Sequence, residues 1–274
     1  MLKGLLPSQM NRRFVSLLLI SLLLLAACGK DDNKNKDDGN SSNNDNLGLF
    51  EWDRSPDTII LRMDDQANFE PQAYFDNDVP LCTLWGDGRL VWVNLLSGRS
   101  EVLEARLTDD QIRSLIETII RTGFYDWQND IVPPATDNPV LESLTLNLYD
   151  SNRTVERYSP WPANGFSALR QTCADLMETR ALVQPTGGWM KAYEVESDAN
   201  AKIIPWPRTA PFTLEELAVS GTPRWIETPW AEFVWTNITR ELGTVQVREG
   251  GKSYLVSLQV PGISRDAPPA PSDG

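Results

Sequence analysis

Leu81-Cys82-Thr83-Leu84-Trp85 and Leu90-Val91-Trp92-Val93 flank Gly86-Asp87-Gly88-Arg89, and the reading of this stretch decides the fold class. The two runs are rich in β-branched, aromatic and aliphatic residues, and glycines between them supply the positive φ of a tight turn, so the segment predicts a β-hairpin. Working outward, Leu103, Ala105 and Leu107 alternate with Glu104 and Arg106, which predicts a third strand over Val102 to Leu107. A helix follows directly. Thr108 and Gln111 form a capping box, Leu107 can staple to Ile112, and Ile112, Leu115, Ile116, Ile119 and Ile120 make one apolar stripe that Gly123 ends.

The pattern then recurs. Leu144, Leu146 and Leu148 alternate with Thr145 and Asn147, and Asp150-Ser151-Asn152-Arg153 turns the chain into a partner strand through Val155 and Tyr158. A second helix is predicted from about Asn164 to Leu182, with Phe166, Leu169, Cys173, Leu176 and Met177 on one face. This order predicts an α+β fold: antiparallel sheets with amphipathic helices packed on one face. Gln184-Pro185-Thr186-Gly187-Gly188 reads as a boundary, giving one subdomain over residues 47–184 and a smaller one over 189–264. The smaller one holds a strand at Met190 to Val195, a short capped helix at Phe212 to Leu217, a helix from Thr228-Pro229 to about Leu242, and a hairpin around Glu249-Gly250-Gly251-Lys252 with Tyr254, Val256, Leu258 and Val260 on its buried face. Residues 265–274 read as a disordered Pro-rich tail.

At the other end, Arg12-Arg13 precede an apolar run of 12 residues from Phe14 to Leu25, and Leu25-Ala26-Ala27-Cys28 has the form of a lipobox. The run is well short of the roughly 20 residues that span a bilayer core. Residues 1–28 therefore predict a lipoprotein signal peptide, with the thiol of Cys28 taking a diacylglycerol thioether before cleavage on its N-terminal side. Its two acyl chains bury enough methylene groups to hold such a protein on a membrane without a spanning segment. Residues 29–46, almost all Asn, Asp, Lys, Ser and Gly, predict a disordered tether. Asp31, Asn33 and Asn35 have calcium-loop spacing, but Lys36 and Ser42 occupy the positions that need Gly and Glu.

Composition excludes several function classes. The chain has no histidine. That removes Ser-His-Asp and Cys-His nucleophile pairs, imidazole zinc sites and the commonest general base. Lys3, Arg12 and Arg13 are the only charged residues up to Cys28, so 22 of the 25 basic residues and all 38 acidic ones follow it, a net of −16. Such a balance disfavours nucleic acid as a partner. With Cys28 acylated, Cys82 and Cys173 remain, one on a predicted strand and one on a predicted helix. They form either a disulfide or two buried thiols.

Leu84-Trp85-Gly86-Asp87-Gly88-Arg89-Leu90, the Leu107-Thr108 helix start, the Gly123-Phe124-Tyr125 helix end and the Thr136-Asp137-Asn138-Pro139 loop together resemble a widespread group of uncharacterised bacterial envelope lipoproteins. The resemblance covers roughly residues 80 to 180 and implies an envelope role without a known activity. The order of elements also resembles small proteinaceous protease inhibitors of bacteria, a fold-level likeness only.

Among ten tryptophans, Trp161 and Trp206 each lie between two prolines. Stiff, extended Pro-Trp-Pro loops could present an indole as a sugar-binding platform, or the rings could cap the ends of a core. Asp64-Asp65 and Asp126 with Asp130 could form a carboxylate pair or hold a cation, whereas Asp109-Asp110 fit the first turn of a helix, where the dipole favours them. The expectation is a lipid-anchored protein on the extracytoplasmic face of the cell envelope, bound to the membrane through Cys28. It acts by non-enzymatic binding of an envelope protein or glycan, without cofactor or metal. The alternatives are a carbohydrate-binding or carbohydrate-active module built on Trp161 and Trp206, and a protease inhibitor.

Overall fold

The computed structural model describes residues 50–67, 71–176 and 179–272; the signal-peptide, Cys28 and tether readings lie outside the described residues, as does Met177. These described residues all fall in one compact unit.

The first sheet contains β1 (Ile59–Ala67), β2 (Cys82–Trp85), β3 (Arg89–Leu96), β4 (Arg99–Arg106), β5 (Val140–Leu148), β6 (Ser151–Arg157) and β7 (Ala181–Leu182). Its strand order is β6-β5-β1-β2-β3-β4-β7, antiparallel throughout. Register explains why one face is apolar. Val155, Leu144, Met63, Cys82, Trp92 and Leu103 are successive cross-strand partners, and Leu146, Leu61, Leu84, Leu90 and Ala105 form the next row. Helices α2 (Asp109–Arg121) and α3 (Gly165–Asp175) cover these rows with Ile112, Leu115, Ile116, Phe166, Leu169 and Cys173. The capping box of Thr108 and Gln111 starts α2, and Asp109 and Asp110 occupy its first turn.

The opposite face of this sheet is also apolar: Val91, Val93 and Val102 alternate with the first set. It shares a second core with a five-stranded sheet of β8 (Gly187–Val195), β9 (Lys202–Pro205), β10 (Arg224–Glu227), β11 (Val245–Glu249) and β12 (Lys252–Gln259). The order is β10-β8-β12-β11-β9, with β9 parallel to β11. Helices α4 (Leu214–Ser220) and α5 (Trp230–Val234), the latter running into a π turn over Trp235–Thr239, contribute Leu214, Leu217, Val234 and Ile238 to the same core.

The fold departs from the sequence reading in four places. The expected boundary at residues 184–188 is the entry into β8, and Val183 lies in the second core, so the two cores are layers of one unit and share the first sheet. The second predicted helix ends at Asp175, because Ala181-Leu182 leaves to pair with Glu104 and Leu103. The expected tail at 265–274 begins inside the fold: the Arg265 side chain is 8% exposed, and Trp189 Nε1 donates to the Pro269 carbonyl at 3.0 Å. Finally, only Gly88 of the first hairpin has positive φ, at 88°; Gly86 is needed for close approach, since a Cβ there would lie 1.8 Å from the Asp53 carbonyl oxygen.

Cys82 on β2 and Cys173 on α3 form a disulfide with a Cα separation of 6.5 Å. It joins the sheet to its covering helix within the first core. No helix among the described residues is long and apolar enough to cross a membrane.

Candidate functional site

The second core is incompletely filled. Between the sheets, where β3 runs out toward its turn and β11 leaves β12, a cavity of about 260 Å³ opens. Its walls include Leu81, Val93, Ile238, Val245 and Leu255, and its rim carries Leu95 and Leu242, which are 52% and 48% exposed.

Three polar devices build this region. The first is helix α1 (Gln72–Asn77). Strand β12 pairs with β11 only as far as Tyr254, so the edge beyond it lacks a strand partner. The Asn77 carboxamide fills that role: the Leu258 N–H donates to Asn77 Oδ1 at 2.8 Å, and Asn77 Nδ2 donates to the Val256 carbonyl at 3.3 Å. One side chain thereby continues the ladder by a peptide's worth, which a buried edge requires. Behind it Asp76 accepts from Gln72 Nε2 at 3.0 Å, Tyr193 Oη at 2.7 Å and Ser257 Oγ at 3.3 Å. Burial and the Asp76 charge hold the Tyr193 phenol above its ordinary range.

The second device is Arg240, at the end of the π turn. The Ser100 N–H donates to its carbonyl at 2.7 Å and the Leu242 N–H donates to Gly98 O at 3.1 Å, which docks this segment on the β3–β4 turn. The guanidinium is buried, 4.4 Å from the Trp235 ring centroid. Its Nη2 donates to the Asn77 carbonyl at 2.7 Å and its Nε to Thr239 Oγ1 at 3.3 Å. Arg240 forms no ion pair among the described residues although it lines the cavity. Burial pushes this guanidinium down to about 10, against the opposing pull of the Asp78 charge.

The third is a carboxylate cluster gathered by Arg265. Its Nη2 and Nε reach Asp64 at 2.6 and 2.8 Å, and its Nη1 reaches Asp78 at 2.8 Å. Arg62 Nη2 adds a bond to Asp64 at 3.1 Å. Burial alone would lower Arg265, but the hydrogen bonds and charges of Asp64 and Asp78 outweigh it and hold the guanidinium above its ordinary value. The surplus of acid falls on the other members. Burial pushes Asp78 up to about 6, opposed by Arg265 and reinforced by Asp65 and Asp64. Asp65 is raised by burial and then by the Asp64 charge, and it feels Arg170 and Arg265 only at a distance. Asp65, Asp78 and Arg240 line the same cavity without forming an ion pair across it.

The residues singled out in the sequence lie elsewhere. Trp161 is buried at 6% exposure, stacked on Phe166 with centroids 5.0 Å apart, and its Nε1 donates to Glu142 Oε2 at 2.6 Å. Trp206 is buried at 5% exposure among Phe212, Trp230 and Phe233, with Nε1 donating to the Phe212 carbonyl at 3.2 Å. Neither offers an open ring face, so the platform reading is corrected: each flanking proline pair turns the indole inward as a core residue. Asp126 is exposed at the end of a 3-10 turn over Phe124–Asp126 and Asp130 is part-exposed in an isolated bridge to Arg157, and no group of three or more acidic or cysteine side chains suited to a metal occurs among the described residues. Of the predicted acidic pairs, only Asp64-Asp65 reaches the cavity region.

Sequence reasoning missed Arg240, Asp78 and Arg265. A π turn carries an extra residue, so positions after it slip off the α-helical face that periodicity assigns, and Arg240 comes just after that slip. Comparison with protein-family models, with curated proteins and with solved structures finds no match for this chain.

Proposed function

We propose that this chain is a non-enzymatic binding protein of the bacterial cell envelope, held on the extracytoplasmic face by acylation at Cys28, with the cavity between its sheets as the binding site. One observation carries the reading: a buried arginine, Arg240, without an ion pair among the described residues, lines an apolar-walled cavity whose rim is open through Leu95 and Leu242. A buried cation without a carboxylate costs several kcal/mol, of the order of a typical buried charge penalty, and an incoming anionic group would offset that cost. Carboxylate chemistry is the main catalytic route open to a chain without histidine. Of the carboxylates lining this cavity, Asp78 is tied to Arg265 and Glu241 to Lys202. The Cys82–Cys173 disulfide is compatible with an extracytoplasmic address. The glycan alternative loses its support with the burial of Trp161 and Trp206.

Native mass spectrometry of the protein extracted from its own membranes tests the reading. The expected result is a small-molecule adduct that is lost on denaturation and absent from a Val93→Trp variant, whose larger side chain fills the cavity. An adduct of equal abundance in the variant refutes the assignment of the cavity. Release of a Cys28→Ser variant from the membrane fraction is expected, and its retention there refutes the anchor.

A further inference from the structure

The C-terminal stretch is pinned at its start and then runs across the surface. The Ile263 and Ser264 N–H groups donate to the Val260 carbonyl, the Arg265 N–H donates to the Asp78 carbonyl at 2.9 Å, and the Arg265 guanidinium holds Asp64 and Asp78. Beyond it, Ala267-Pro268-Pro269-Ala270-Pro271 is neither helix nor strand, and its last four residues are exposed. Three prolines in five residues restrict φ and remove their own N–H groups. That composition favours a polyproline II path, whose carbonyls are free to accept.

This segment meets two indoles on the second sheet. Trp189 on β8 and Trp225 on β10 are cross-strand partners. They alternate with Met190 and Ile226, which point into the second core, so both face away from it and remain part-exposed. Their rings meet edge to face, with centroids 5.4 Å apart and planes at 67°, and so present two inclined walls. Gly187 makes the arrangement possible, because a Cβ there would overlap the Trp225 ring. Trp189 Nε1 donates to the Pro269 carbonyl at 3.0 Å. Aromatic-lined surfaces recognise proline-rich segments because the polyproline II helix is preformed and costs little to order. Here a donor, two ring walls and a segment of that composition already stand together.

We infer that the Trp189–Trp225 pair is a binding site for proline-rich segments in the polyproline II conformation. The chain's own residues 267–271 occupy it in the resting protein, and a proline-rich segment of a partner protein takes their place. The inference is independent of the cavity between the sheets. Exchange is feasible because Arg265 fixes the root of the segment through its carboxylates, so the exposed residues from Pro268 on can leave without opening the fold. A partner protein is favoured over a second copy by mass action. A second copy brings the same five residues, and the tethered segment, at an effective concentration of roughly millimolar, outcompetes an identical free one. A longer proline run gains further contacts along the same rings and is the ligand able to displace it.

Indole proton NMR of the full chain, carrying isotopically enriched tryptophan, tests this, with Trp189→Phe and Trp225→Phe assigning the two signals. The tail variant combines Pro268→Ser, Pro269→Ser and Pro271→Ser, all at exposed positions; unchanged signals from the other tryptophans report that it is folded. The probes are decaproline and a Gly-Ser decamer. The tail variant is expected to shift the Trp189 signal. Decaproline is then expected to move the Trp189 and Trp225 signals together, at a concentration roughly tenfold or more below that needed in the wild type, where the tethered segment competes. The Gly-Ser decamer is expected to move neither. If the Trp189 signal is the same in wild type and tail variant, the seated segment is overturned. If decaproline moves neither signal of the tail variant at millimolar concentration, the proline-binding site is overturned, as it is if the Gly-Ser decamer acts equally well. A wild-type Trp189 signal that changes with protein concentration assigns the seated segment to a second copy and overturns the partner protein.

Discussion

Loss of the Cys82–Cys173 disulfide is expected to cost this protein about 4.6 kcal/mol. The bridge closes a loop of sequence separation 91; a chain-entropy loss of about 2.1 plus 1.5R ln n cal/mol/K gives roughly 15.5 cal/mol/K at that length, or about 4.6 kcal/mol at 25 °C. The loop encloses β3, β4, α2 and the β5–β6 hairpin, most of the first core, so little of the constraint is wasted on the surface. Both sulfurs lie in that core, at 0% and 1% exposure. Comparing oxidised with reduced wild type therefore isolates the bridge better than substitution, which adds a packing loss. The assay is urea unfolding followed by tryptophan fluorescence, with the reduced sample refolded in the presence of a phosphine. For an m-value of roughly 2–3 kcal/mol/M, the midpoint should fall by about 1.5–2.3 M. A fall below about 0.4 M, equivalent to roughly 1 kcal/mol, would refute the entropic argument. Two titratable thiols in the unfolded, unreduced protein would refute the bridge itself.

Arg265→Ala is expected to destabilise the protein by about 3–5 kcal/mol, because it leaves Asp64, at 11% side-chain exposure, buried with only Arg62; a loss under about 1 kcal/mol in urea unfolding, the range of a surface pair, would show that the C-terminal segment is dispensable. Gly86→Ala should cost about 1–3 kcal/mol through overpacking against the Asp53 backbone, and Gly98→Ala, where φ is 84° and no atom lies within 4 Å, should cost only left-handed strain of roughly 1–2 kcal/mol. A larger loss at Gly98 than at Gly86 in thermal unfolding would count against the close-approach argument. Asp78 binds its proton more tightly in the native state, about 6 against the ordinary 3.8, so its contribution to stability is greatest below pH 3.8, falls as pH rises through that window, and is flat above it. Thermal melts of wild type and Asp78→Asn from acid to neutral pH should therefore diverge in favour of the variant as pH rises; parallel curves would sink the assignment.

What was legible in the sequence was local. The capping box of Thr108 and Gln111, the apolar stripe of α2 and the turn glycines of two hairpins are encoded within a few residues of where they act. Strand β1, central in the first sheet, is not among the predicted elements. Arg62, Asp64 and Asp65 interrupt its apolar alternation, and the group that makes them tolerable is Arg265, 201 residues from Asp64. The same distance problem hides the cavity, whose lining draws Asp65 from the first sheet and Arg240 from the segment after the π turn. The two Pro-flanked tryptophans misled in the opposite sense: a local pattern suggests display, and long-range packing on Phe166 and Phe212 buries them.

The two cores are closed by different chemistry, and that difference bears on which one can serve a ligand. The first is tied covalently from β2 to α3 and is filled by interdigitated side chains in register across six strands. The second is closed around the cavity by one carboxamide standing in for a strand and by arginines at its edge. A buried ionic closure of this kind is a poor way to gain stability, since apolar residues of similar volume match or exceed it. Filling the void with larger aliphatic side chains would also recover lost packing contacts. Arg240 and Asp78 instead keep charge beside an open volume at a cost visible in their perturbed protonation, the guanidinium pushed down and the carboxyl pushed up. On the proposed reading a ligand would offset that cost, which is why the cavity, and not the buried tryptophan clusters, is proposed as the binding site.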